Sequence, residues 1–172
     1  MPLHLEPLDL SDELGKQESV LILSCPICPP VSIASERESP VIEFFRSGIK
    51  TRAYEDFLRE TCESLEERGV RTSVLTIYAP SPMLCLWTSG QRKRLRKRAS
   101  GFDAVLVMGC ESARYTVEQA LEDTNCKVLM AMRLVGITNA TLKSKFPSTI
   151  ALENLARVRA NEIGTTESIR DR

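Results

Sequence analysis

The residue pattern predicts an α/β domain: a mostly parallel sheet covered by helices on both faces, a three-layer sandwich. Three observations carry this. Short apolar runs without alternation recur along the chain (Val20 to Leu23, Ala104 to Met108, Val128 to Met132), as expected of strands buried on both faces. Segments with apolar residues at helical spacing fall between them, most clearly from Tyr54 to Leu65. The chain has 172 residues, which suits one domain with a substantial core.

Residues 1–18, with Pro2, Pro7 and scattered charge, read as an N-terminal arm preceding a single domain over 19–155. The first expected strand, Val20 to Leu23, ends at Ser24-Cys25-Pro26-Ile27-Cys28-Pro29-Pro30. Consecutive prolines remove backbone donors and favour an extended path, so no helix is expected to begin directly after Cys28, and residues 31–38 are expected to be an irregular loop. The same missing donors argue against a flavin phosphate loop here.

Ser39-Pro40 resembles a cap followed by proline at a first helical position and predicts a short helix through Phe44 and Phe45 to Gly48. A second helix is predicted from about Thr51 to Arg68, ending at Gly69, with the stripe Tyr54, Phe57, Leu58, Thr61, Cys62 and Leu65 facing the core. Cys62 is thereby a small buried hydrophobe. Val70 to Tyr78 is the second expected strand. Beyond it, two prolines precede Met83-Leu84-Cys85-Leu86-Trp87, an apolar patch that fits the sheet rim, the core or a partner surface.

Arg92 to Arg98 carries six positive charges in seven residues. Lys plus Arg (23) equals Asp plus Glu (23) over the chain, and no aromatic residues interleave the run, which tells against a nucleic-acid surface. A solvated helix face, or a docking surface for an acidic protein, is expected instead.

The most informative stretch is FDAVLVMGCESARYTVEQ, from Phe102 to Gln119. An apolar strand breaks at Gly109-Cys110, and Ala113, Val117, Ala120 and Leu121 then recur at helical spacing, with Glu111 and Ser112 in the first turn. Strand, glycine corner and helix put Cys110 at the carboxyl edge of a sheet, where open α/β sheets of the flavodoxin or Rossmann-like kind bind ligands. Cys126 begins the next strand, at the opposite edge, and reads as structural. Gly136 to Asn139 is expected to be a turn, Thr141 to Phe146 a short helix or one arm of a hairpin, and Ser148 to Leu152 a fifth strand. Residues 156–172 read as a charged tail.

No apolar segment approaches the roughly 18 residues of a membrane span. The first twenty residues carry acids and prolines rather than a basic and then apolar leader, so a cytoplasmic location is expected. Six cysteines in that reducing compartment suit packing, metal ligation or redox chemistry better than a disulfide framework. The single histidine, His4, lies in the arm, which leaves no Ser/His/Asp triad, no His-rich metal site and no ordinary Cys/His pair in the body of the domain.

If the strands before Cys25 and Cys110 lie side by side and parallel, Cys25, Cys28, Cys110 and also Cys85 meet at one rim, a set suited to zinc or an iron-sulfur cluster. The competing interpretation is that Cys25 and Cys28 merely pack beneath a rigid proline loop.

A strand ending in Cys25-x-x-Cys28 and a later one ending in Gly109-Cys110 resemble the iron-sulfur delta subunit of methyl-viologen-reducing hydrogenases. The resemblance implies a two-iron cluster, electron transfer and other redox subunits as partners. It covers roughly a tenth of the chain. That family has a further cysteine where this chain has Tyr115, and another directly after the second strand, where this chain has Tyr78-Ala79-Pro80 and reaches Cys85 only later.

Two other function classes remain. Cys25-Pro26-Ile27-Cys28 resembles the Cys-Pro-Tyr-Cys of glutaredoxins, with Pro147 in the place of their proline loop, and a helix N-terminus favours a thiolate at Cys110 as the catalytic group of a thiol-disulfide or sulfur-transfer enzyme. Pro29 and Pro30 oppose this, because the second glutaredoxin cysteine lies inside a helix. The other class is a binding module holding a small anionic ligand at Gly109, Glu111 and Ser112. Substrate, partner and oligomeric state leave no mark in the sequence.

Overall fold

The computed structural model describes residues 2–14, 16–77, 85–145 and 148–159. In chain order its elements are β1 (Leu3–Pro7), α1 (Ser11–Leu14), β2 (Ser19–Ser24), α2 (Cys28–Glu36), β3 (Ile42–Glu43), α3 (Phe44–Ser47), α4 (Arg52–Glu66), β4 (Arg71–Thr76), α5 (Ser89–Ala99), β5 (Ala104–Met108), α6 (Glu111–Ala120), β6 (Lys127–Met130), β7 (Met132–Lys145) and β8 (Thr149–Arg159). The fold is mixed α/β with two sheets. A parallel sheet has the order β4-β2-β5-β6, and an antiparallel sheet has the order β1-β7-β8-β3.

The unbroken apolar character of β2 and β5 follows from their central places in the parallel sheet, where every residue of both strands is buried. Alternate side chains enter two different cores. Val20, Ile22, Leu106 and Met108 pack with Ile33 of α2 and with Tyr54, Leu58 and Leu65 of α4. Leu21, Leu23, Val105 and Val107 pack with Leu95 and Ala99 of α5 and with Ala113, Val117 and Ala120 of α6. Helices therefore lie against both faces, and a strand wet on neither side has no reason to alternate. β4, at the edge, leaves Val74 exposed.

Local signals set several boundaries. Thr88 caps α5 in a reciprocal capping box with Gln91, and Gly69, at φ 81°, turns the chain out after α4. The basic run Arg92 to Arg98 forms α5, whose Leu95 and Ala99 enter the core while its charged residues face outward. Two of those charges also fasten the helix. Arg96 Nε donates to the Ala120 carbonyl at 2.8 Å, and Arg92 donates to Gln119 at 3.2 Å.

Other boundaries correct the sequence reading. The stretch expected as a loop over 31–38 belongs to α2, which starts at Cys28 with Pro29 and Pro30 in its first turn. First-turn N–H groups have no intrahelical acceptor, so prolines lose nothing there and their fixed φ already suits a helix. The helix expected from Ser39-Pro40 starts only at Phe44, because Ile42 and Glu43 are drawn into pairing with Ile150 and Thr149 of β8.

The largest departure lies at the two ends of the chain. Residues 3–7, within the expected arm, form β1 and pair antiparallel with β7, from Leu3 opposite Ile137 to Pro7 opposite Met132. Gly136 to Asn139, expected as a turn, lies inside β7. Gly136 is opposite Arg159, and a Cβ there would come within 2.0 Å of the Val158 carbonyl oxygen. The glycine thus serves close strand approach rather than a reversal. Thr141 to Lys145 takes the hairpin alternative, paired with β8, and β8 runs past the expected domain end to Arg159. No helix among the described residues is long and apolar enough to cross a membrane.

Candidate functional site

The order β4-β2-β5-β6 means that the chain leaves β2 toward β4 on one side and later returns to β5 on the other. Connections from β2 and β5 thus diverge at the carboxyl ends of the two strands. Both sulfur-bearing corners stand at those ends. Ser24 is opposite Met108 in the parallel register, so Cys25 and Gly109 come next to one another. The Cys25 N–H donates to the Met108 carbonyl at 3.0 Å, and a Cβ built on Gly109 would lie 3.5 Å from that of Cys25.

Cys28 is the first residue of α2 and is buried. Cys110 is the N-cap of α6 in extended backbone conformation (φ −94°, ψ 176°) and its side chain makes no capping bond. Its carbonyl accepts from the N–H groups of Ala113 and Arg114, which holds the corner while leaving the sulfur half exposed. Cys28, Cys85, Cys110 and Ser112 line a cavity of about 660 Å³. Its remaining wall is largely apolar: Ile27, which precedes α2, Val31 of α2, Val41, and Ala140, Leu142 and Leu152 from the β7–β8 hairpin.

Burial dominates the electrostatics. The Cys25 thiol is pushed up to about 12, chiefly by desolvation, with the nearness of Cys28, Cys110 and Cys85 adding to the rise and a backbone hydrogen bond at Ile27 opposing it. Cys28 is also raised, again mainly by burial. A thiol in this position keeps its proton until a cation replaces it.

The sulfurs come to one rim without forming a closed cluster. Among the described residues, His4, Glu6 and Glu36 are the only three His, Cys, Asp or Glu side chains whose ligand atoms all lie within 4.8 Å of one another. Glu111 and Ser112 are exposed on the first turn of α6, and Glu111 pairs with Arg114 of its own helix at 3.3 Å. Cys62, expected to be buried, packs against the core from the α4 stripe but is only half-buried. Cys126 precedes β6, at the opposite edge of the sheet from this rim. Pro147 lies outside the described residues.

Sequence reasoning missed the hairpin wall. Thr138, Asn139, Ala140, Leu142 and Leu152 reach the cavity because β1 and β7 carry the antiparallel sheet to this side. No local pattern announces a partner more than a hundred residues away. Comparisons with protein-family models, with curated proteins and with solved structures each found no match.

Proposed function

We propose that Cys25, Cys28 and Cys110, with Cys85 as the fourth, are the ligands of a thiolate metal centre, an iron-sulfur cluster or zinc, in an electron-transfer or redox protein of a reducing compartment. We also infer a doubly wound, flavodoxin-like parallel unit, whose switch point is this rim. The observation that carries the reading is the meeting of two corners 85 positions apart, Cys25 and Cys110, beside one apolar cavity that also receives Cys28 and Cys85. The donor set is soft and the wall beside it is largely apolar, which suits iron-sulfur or zinc ligation over hard cations. A cluster bound there would supply one-electron chemistry; the residues of the rim would hold it, keep water from it and set its potential through burial.

The second reading, a thiol-disulfide enzyme, gains from Cys28 heading a helix. It loses more from Cys25, because a nucleophile needs a lowered thiol and burial drives this one up to about 12. An anion held by α6 is opposed by Glu111 in its first turn and by the apolar cavity.

The test is anaerobic purification followed by iron, zinc and acid-labile sulfide analysis and visible absorption. The expected result is metal bound to the chain that is lost in Cys25→Ala, Cys28→Ala and Cys110→Ala. Protein that stays metal-free after reconstitution, with a reversible Cys25 to Cys28 disulfide, would move the assignment to thiol exchange.

A further inference from the structure

We propose a second metal site, sharing no ligand with the cysteine rim: a divalent first-row cation held by His4 and Glu6 of β1 and by Glu36 at the end of α2. His4 is 2 % exposed, and its Nε2 is buried without a hydrogen-bond partner. An unpaired buried imidazole nitrogen costs free energy unless something accepts its lone pair or its proton. The group facing it is Glu36 Oε1, 3.8 Å away. That is too far for a hydrogen bond but fits two ligands of one ion, since donors about 2.0–2.2 Å from a metal lie roughly 3–4 Å apart. Glu6 completes the set, with the three ligand atoms all within 4.8 Å of one another.

The surroundings hold this arrangement in place. Thr138 Oγ1 lies 3.2 Å from His4 Nδ1, so an Nδ1–H donated to that hydroxyl would fix the ring and leave the Nε2 lone pair for a metal. Ser32 of α2 accepts from the Leu5 N–H at 3.0 Å, and its own proton is shared between the Cys28 carbonyl at 3.0 Å and the Leu3 carbonyl at 3.2 Å, which holds β1 against the helix that carries Glu36. Arg133 donates to Glu6 Oε2 at 2.9 Å, the outer support that ligating carboxylates commonly have. Of the other cations nearby, Arg157 is engaged with the carbonyl and hydroxyl of Ser35, Arg37 pairs with Glu60, and Arg159 lines the same hollow as His4 and Glu6. One imidazole and two carboxylates balance a divalent ion and suit Mn²⁺, Fe²⁺ or Zn²⁺ better than the all-oxygen preference of Ca²⁺. Such an ion would clamp β1, in one sheet, to α2, which packs on the other.

Mn²⁺ is the probe because it suits carboxylate and imidazole and has little affinity for thiolates, which separates this site from the cysteine rim. His4 is the only histidine, so its imidazole proton resonances report on the site without assignment ambiguity. Saturable broadening of those resonances by Mn²⁺ is expected, with the melting temperature rising as the ion is added. Glu36→Gln should weaken Mn²⁺ binding at least about tenfold, and Cys28→Ala with Cys110→Ala should leave it unchanged. His4 resonances that stay sharp in excess Mn²⁺, or equal binding by Glu36→Gln, would overturn the site and leave the cysteine centre untouched.

Discussion

Cys25 continues the β2–β5 ladder one residue beyond β2, donating its N–H to the Met108 carbonyl at 3.0 Å, and so stands beside Gly109 at the carboxyl ends of the two strands. Gly109 is buried, and a Cβ there would sit 2.9 Å from that of Ala113, on the first turns of α6. Gly109→Ala should push α6 away from β5 and cost about 1–3 kcal/mol in urea unfolding. The double variant Gly109→Ala with Ala113→Gly should recover part of that loss; strict additivity of the two changes would show that the close approach is not the cause.

Tyr54 is the polar centre of the other face. Ser24 Oγ donates to its phenolic oxygen at 3.1 Å, and burial holds the phenol well above its ordinary value of 10.0. In the unfolded chain the phenol ionises above about pH 10 while the folded chain keeps the proton. Its contribution to stability is therefore complete below that pH and is lost as pH rises through and beyond it. Tyr54→Phe should cost about 1–2 kcal/mol at neutral pH, through the orphaned Ser24 hydroxyl, and should lessen the alkaline decline. Stability-versus-pH curves of equal slope above pH 10 in the two proteins would contradict this.

Gly136 tests the antiparallel sheet. With the Val158 carbonyl 2.0 Å from where its Cβ would be, Gly136→Ala should force β7 and β8 apart and cost on the order of 3 kcal/mol or more. Faster amide exchange at Ile137 and Val158 is the expected signature. Wild-type protection at both positions would mean that the strands absorb the methyl group.

Asp103 ties β5 to β2 at the amino end of the sheet. Its Oδ2 accepts from both the N–H and the hydroxyl of Ser19 at 2.9 Å, while that hydroxyl accepts from the Asp103 N–H at 3.1 Å. Asp103→Ala should cost about 1.5–3 kcal/mol in denaturant unfolding, more than Ser24→Ala or any exposed carboxylate of α4 such as Glu63.

The amino-acid sequence by itself determined the strands β2, β4, β5 and β6, the helix α4 with its Tyr54 to Leu65 stripe, and the corner at Gly109-Cys110, because these depend on local periodicity and on where apolar runs stop. That Cys25 and Cys110 would share a rim depended on the condition that their strands lie side by side and parallel, which the pairing of β2 with β5 supplies. The sequence misjudged Pro29 and Pro30, because a proline in the first turn of a helix and a proline in a stiff loop look alike until the residues that follow are seen to pack. Only the tertiary structure decided that the amino-terminal residues join the β7–β8 hairpin, that this hairpin walls the cysteine cavity, and that His4 meets Glu36. Those contacts join residues far apart in the chain, and pairing at such distances depends on which buried surfaces find one another rather than on any short-range pattern.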